Sequence, residues 1–199
     1  DSIAHSMTTL ATGGFSTSDM SIGKYNSINI ELVICVFMIL GSLPFVLYLQ
    51  TLRGNYSALL KDSQVRFFIL LVITSVLIVT FWKYQNTASF FDNFRSSLFN
   101  TISIFTGTGY KTQNFNNWGS FIIVLFLFLM LVGGCAGSTT CGIKIFRLQI
   151  LYQTAKIQIF KLLNPHGVSV AKYNKIPITE AITSSVMGYF FMFIISYII

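Results

Sequence analysis

"SSLFNTISIFTGTGYKTQNF", Ser96 to Phe115, decides how this chain is read. Its first ten residues, Ser96 to Phe105, are helix-forming and apolar, but a helix needs roughly 20 residues to cross a hydrocarbon core. Where a crossing helix would continue, a Thr/Gly turn intervenes, Thr106 to Tyr110. That length and ending predict a half-helix that enters the bilayer, stops and turns back. Displaced by 95 positions, "DSIAHSMTTLATGGFSTSDM", Asp1 to Met20, lies over the same stretch without gaps. Gly14 then falls on Gly109, Phe15 on Tyr110 and Thr17 on Thr112. Both copies run from a polar start through a Ser/Thr-bearing helix to a Thr/Gly turn, an aromatic and a polar exit, and each precedes an apolar segment of membrane length.

Outward from the repeat, the composition agrees. Of 199 residues, 53% are hydrophobic and 10% charged, and the mean hydropathy is +0.69, which excludes an ordinary water-soluble globule. Asn29–Gln50 reads as one span with a kink at Pro44. Val65–Trp82 reads as a second, with Arg66 snorkelling at its start. Trp118–Val132 begins a third, interrupted by "GGCAGSTTCG" at 133–142 and continued by a more polar helix to about Gln158. Lys161–Pro177 reads as a basic loop and Ile178–Ile199 as a fourth span. No signal-peptide pattern opens the chain, which reads as part of a longer protein. The fold class expected is an all-α polytopic membrane protein.

The net charge of +7 reflects topology rather than nucleic acid, because the basic residues sit between apolar stretches. With residues 50–66 and 144–180 placed inside, nine Lys/Arg lie there (Arg53, Lys61, Arg66, Lys144, Arg147, Lys156, Lys161, Lys172, Lys175). Four lie outside (Lys24, Lys83, Arg95, Lys111). The turns of both half-helices then face the exterior. So do Asp1, Asp19, Glu31, Asp92, Trp82 and Trp118, either as a cation-attracting vestibule with an aromatic belt or as solvated loop residues. Cys35, Cys135 and Cys141 are odd in number, lack metal spacing and are expected to be small buried residues.

A half-helix ending inside a bilayer leaves its last carbonyls without partners, and lipid supplies none. A dehydrated monovalent cation satisfies them if several such turns meet around an axis. Glycine permits the backbone handedness that aims successive carbonyls inward. Helix C-termini favour a cation there. No charged residue lies in Thr12–Phe15 or Thr106–Tyr110, as a carbonyl-based filter requires. A plain re-entrant loop packed against neighbouring helices is the alternative on these grounds. The segment 133–142, with four glycines and three hydroxyl residues, disfavours continuous helix at about 1 kcal/mol per glycine. It reads either as a flexible insert beside the pore or as a close helix contact through Gly133 and Gly137.

Three segments, "HSMTTLATGGFSTSDMSIG" (His5–Gly23), "FNTISIFTGTGYKTQNFNNW" (Phe99–Trp118) and, most specifically, "GGCAGSTTCGIKIFR" (Gly133–Arg147), resemble the Trk/Ktr/HKT superfamily of potassium transporters, most closely its bacterial TrkH-type membrane subunits. The resemblance implies four helix, pore-loop, helix repeats arranged like a potassium-channel tetramer. This chain would carry the pore loop and inner helix of the second repeat (1–50), the whole third repeat (64–160), a cytoplasmic loop (161–177) and the outer helix of the fourth (178–199). It implies a K+ filter formed by the carbonyls of Ala11, Thr12, Gly13, Gly14, Thr106, Gly107, Thr108 and Gly109. It implies a gate formed by Gly133, Gly134, Cys135, Ala136, Gly137, Ser138, Thr139, Thr140, Cys141 and Gly142. Lys111 departs from the small or neutral residue expected outside the third filter. The family adds a homodimer, a cytosolic nucleotide-binding TrkA-like partner and a bacterial inner-membrane location.

Among the remaining residues, His5 has no partner at ligand spacing and is expected to pack or hydrogen-bond. Glu31, near its helix end, is expected to face water. Lys144 and Arg147 are expected to snorkel or meet a cytosolic subunit. No nucleophile–base pair, phosphate loop or transition-metal motif appears, and no cofactor is expected beyond K+ as the transported ion. A sodium-conducting relative and a polytopic membrane enzyme or sensor stand as alternatives, the latter requiring a polar catalytic cluster at membrane depth.

Overall fold

The structure, a computed structural model, describes residues 1–86, 89–164, 172–174 and 176–198. The chain divides into two compact units, Asp1–Ile145 and Phe146–Ile199. Apart from one pair of two-residue strands, the regular elements of both are helical.

The first unit opens on the half-helix α1 (Ser2–Leu10). A loop and a short 3-10 turn lead to α2 (Ile28–Gly41), after which the chain bends by 94° into α3 (Phe45–Leu52). The sequence predicts one kinked span here, whereas the helix stops. Pro44 lacks an N–H and disfavours helical backbone at Leu43. The groups freed at the break are taken by a distant segment: Cys135 N–H donates to Ser42 O at 3.0 Å and Phe45 N–H to Gly137 O at 3.0 Å.

After the single turn α4 (Ala58–Lys61), α5 (Ser63–Asn86, 24 residues) confirms the second predicted span and is long and apolar enough to cross a membrane. The Asp62 carboxylate caps it, accepting from the N–H groups of Gln64 at 2.8 Å and Val65 at 3.3 Å. Helix α5 packs along α6 (Phe90–Phe105), with the rings of Phe68 and Phe105 5.4 Å apart. Helix α6 starts six residues before the predicted half-helix. Its charged opening turns are helical because Asp92 suits a helix N-terminus, where Ser89 Oγ donates to it at 2.7 Å, and because Arg95 finds a partner on α2.

Helix α7 (Ser120–Leu131) has only 12 residues, shorter than the predicted third span, because Gly119 at φ 101° separates it from a 3-10 turn at Phe115–Trp118 and the glycine segment ends it. Residues 132–144 form no helix, and α8 (Ile145–Leu163) follows.

In the second unit, Arg147 of α8 lays its guanidinium 3.8 Å from the centre of the Tyr189 ring, and Phe146 meets Tyr173 edge-on at 4.9 Å. Strands β1 (Lys172–Tyr173) and β2 (Ile176–Pro177) pair antiparallel. Helix α9 (Glu180–Ile198) confirms the fourth predicted span and is again of membrane-crossing length and hydropathy. The predicted basic loop is helical as far as Leu163, while residues 165–171 and 175 lie outside the described residues.

Candidate ion-conduction site

The 95-residue repeat reappears as matched geometry. Helices α1 and α6 end at corresponding residues, Leu10 and Phe105, with caps of nearly identical backbone, Ala11 (φ −77°, ψ −2°) and Thr106 (φ −78°, ψ −9°). Ala11 N–H donates to Met7 O and Thr106 N–H to Ile102 O; Thr12 N–H donates to Thr9 O and Gly107 N–H to Ile104 O. The chain is then left-handed at Thr12 (φ 49°) and Gly14 (φ 68°), and again at Gly107 (φ 72°) and Gly109 (φ 84°). Each turn is tied back at its end by its own helix. Thr8 Oγ1 lies 3.0 Å from Phe15 O, and Ser103 Oγ donates to Tyr110 O at 2.7 Å.

Between those ties the turns present carbonyls. Among the described residues, the carbonyl oxygens of Thr12, Gly13, Gly14, Thr106, Gly107, Thr108 and Gly109 accept no hydrogen bond from the protein. The two turns touch: a Cβ added at Gly14 would overlap the carbonyl oxygen of Thr108. Their exits are also joined, through Gly23 N–H to Lys111 O at 3.2 Å and Lys111 N–H to Ser21 Oγ at 3.4 Å. Two helix C-termini and a double row of oxygens without protein donors form an electronegative surface suited to a desolvated cation.

The segment 133–142 lies against these turns. Thr139 Oγ1 lies 3.0 Å from Leu10 O and 3.1 Å from Gly41 O, while Thr12 Oγ1 donates to Thr139 O at 3.1 Å. Ala136 N–H donates to Gln64 Oε1 at 2.9 Å. The Lys144 ammonium reaches Thr140 O and Oγ1 and the carbonyl and hydroxyl oxygens of Ser138. The segment therefore bridges the first half-helix, the broken helix α2–α3 and the start of α5 through hydrogen bonds, while Cys135 packs into the hydrophobic core.

Over residues 1–199 the sequence matches the TrkH family, described as cation transport proteins. The chain belongs to the TrkH family. It is 40% identical over 197 residues to the Trk system potassium uptake protein TrkI of Halomonas elongata, covering 98% of this chain and 40% of that protein. It is 31% identical to the Trk system potassium uptake protein TrkH of Vibrio parahaemolyticus, covering 100% of this chain and 42% of that protein. The crystal structure of the latter potassium transporter superposes with a TM-score of 0.89 at 33% identity, covering 96% of this chain and 42% of that one. The chain thus spans about two fifths of the length of the curated relatives it matches. The TrkH family is one of transport proteins, not enzymes.

In this TrkH-family chain the eight residues expected in the filter form the two adjoining turns, and the ten expected in the gate form one continuous segment beside them. Cys35 and Cys135 are buried as expected, but Cys141 is exposed, because its segment leaves the helical core to pass near Gly107. His5 is buried and hydrogen-bonded, to Asp1 O at 2.9 Å and Ser16 Oγ at 3.0 Å. Glu31 does not face water. It is 5% exposed and takes a bidentate pair from Arg95, 2.8 Å to each oxygen. Desolvating a carboxylate is tolerable only with such a partner. Lys144 is turned into the segment it follows, where oxygens left by the missing helix outbid water. The backbone of Lys111 is pinned and its side chain is exposed. Sequence reading missed Thr8, Ser103, Gln64 and the hydroxyl of Tyr110, whose partners are set by the folded turns.

Proposed function

We propose that this chain forms part of a potassium-uptake pathway in a bacterial inner membrane, with the turns at Ala11–Gly14 and Thr106–Gly109 as two quarters of a carbonyl-lined filter open to the exterior. The observation that carries the reading is the pair of adjoining turns whose carbonyls lack protein donors. Their matched left-handed positions also support a common axis. Residues 1–50 and 64–160 act as parts of successive repeats, 161–177 as a cytoplasmic loop and 178–199 as the outer helix of a further repeat. The charge asymmetry supports the orientation. The segment 133–142 acts as the gate, closed while Thr139 holds it against the first turn and Lys144 braces the segment internally through Ser138 and Thr140. The whole protein works as a homodimer of membrane subunits with a cytosolic nucleotide-binding partner, a reading supported by the Trk system names of its relatives.

The test is K+ and Na+ flux through the full-length protein in liposomes. K+ flux well above Na+ flux is expected. Gly14→Ala, which combines a left-handed φ with overlap on Thr108 O, is expected to abolish flux, whereas Gly109→Ala, where the added carbon meets nothing within 4 Å, reduces it less. Equal K+ and Na+ flux in the wild type, or full flux in Gly14→Ala, would remove the reading.

A further inference from the structure

The two filter turns are not equivalent at their exits. Phe15 is 77% exposed and has no polar atom on its ring, while Tyr110, at the matching position, is 2% exposed and reaches across to the other pore helix. Its hydroxyl bonds to Thr8 Oγ1 and lies 3.3 Å from His5 O and 3.4 Å from Thr9 Oγ1. Its ring packs against the His5 ring, centroids 6.0 Å apart. One hydroxyl of the second turn thus meets the one residue, Thr8, that ties down the end of the first.

The donors can be ordered by counting. Thr8 has one hydroxyl proton and three carbonyls within reach, Ala4 O at 2.9 Å, Phe15 O at 3.0 Å and His5 O at 3.5 Å. Ala4 O is already an acceptor within α1 and His5 O takes the Thr9 hydroxyl at 2.5 Å, whereas Phe15 O has no other donor among the described residues, so the proton goes to Phe15 O. With its one proton given to Phe15 O, Thr8 Oγ1 meets the Tyr110 hydroxyl as an acceptor, in the shortest of the contacts that this hydroxyl makes. The result is a relay in which Tyr110 O–H donates to Thr8 and Thr8 O–H donates to Phe15 O. It runs from the buried Tyr110 hydroxyl to the exposed end of the first turn and couples the outer end of one turn to that of the next.

We infer that Tyr110, acting through Thr8, is a positioning residue that fixes the spacing of the two filter turns and thereby the preference for K+ over a smaller cation. The inference rests on the filter reading given above. A ring of carbonyls discriminates by how far it can contract, and a strut behind it resists contraction around an ion smaller than K+. Hydrogen bonds in series polarise and so strengthen one another.

The experiment is the K+/Na+ flux ratio of the full-length protein in liposomes for the wild type, Tyr110→Phe, Thr8→Val and Thr8→Ser. Tyr110→Phe keeps the buried ring and removes only the strut, so the ratio falls about fivefold, the scale of one hydrogen bond, with Na+ flux rising. Thr8→Val gives the same loss, and Thr8→Ser, which keeps the hydroxyl, retains the wild-type ratio. If Tyr110→Phe does not assemble, Thr8→Val against Thr8→Ser decides by the same ratio. A wild-type ratio in the assembled Tyr110→Phe or in Thr8→Val overturns the strut and leaves the filter standing, whereas a wild type that does not prefer K+ overturns both.

Discussion

Thr12 concentrates the chemistry of the first turn in one residue. It is β-branched yet left-handed at φ 49°, a conformation that costs about 1–2 kcal/mol outside glycine. Its counterpart is Gly107, at which the same backbone carries no such cost. What offsets the strain is its hydroxyl, which has Ala11 O at 2.8 Å and Thr139 O at 3.1 Å within reach and through the second joins the turn to the segment 133–142. Thr12→Gly is therefore expected to stay within about 1 kcal/mol of wild-type stability. It should raise basal K+ flux without changing the K+/Na+ ratio; a lower flux in the liposome assay would count against this link. Gly14, Gly107 and Gly109 are legible in the sequence because glycine favours left-handed backbone, whereas the left-handed Thr12 is not. The tie-back roles of Thr8 and Ser103 are not, since a hydroxyl seven residues before its acceptor matters only once the intervening turn has formed.

At the scale of elements, two apolar helices, α2 and α7, are interrupted, and the interruptions satisfy each other. The glycine segment supplies an N–H to Ser42 O and a carbonyl to Phe45 N–H. Gly134 sits where an added Cβ would lie 2.8 Å from Ser42 O and 2.7 Å from Thr140 Oγ1. Gly134→Ala is expected to push the segment off the broken helix and increase K+ flux several-fold in the absence of any cytosolic partner, measured in the same liposomes. Unchanged or lower flux would mean that the segment does not obstruct conduction. The glycine cluster made this break visible in the sequence. The break after α2 was legible only as a kink at Pro44, because hydropathy is continuous across it and the hydrogen-bond partners that let the helix stop, one donor and one acceptor, lie about ninety residues on.

For the molecule as a whole, the bond between Glu31 and Arg95 links α2 to α6. Removing one partner strands the other, at about 3 kcal/mol or more for a buried carboxylate. Arg95→Ala should thus lower the thermal midpoint of the purified full-length protein more than Lys111→Ala does, and equal midpoints would show that the pair contributes little. The two residues are 64 positions apart, and nothing in either local segment announces the pairing. Residue class foretold two charges near one membrane face but not that they meet. The repeat and the apolar helices were legible because each is a local pattern. The central claim is that main-chain oxygens of the two turns replace an ion's water. Anomalous diffraction from crystals of the full-length protein with Rb+ in place of K+ tests it most directly: the account predicts a peak enclosed by the carbonyls of Thr12–Gly14 and Thr106–Gly109, and a map with those carbonyls ordered but no peak between them would contradict it.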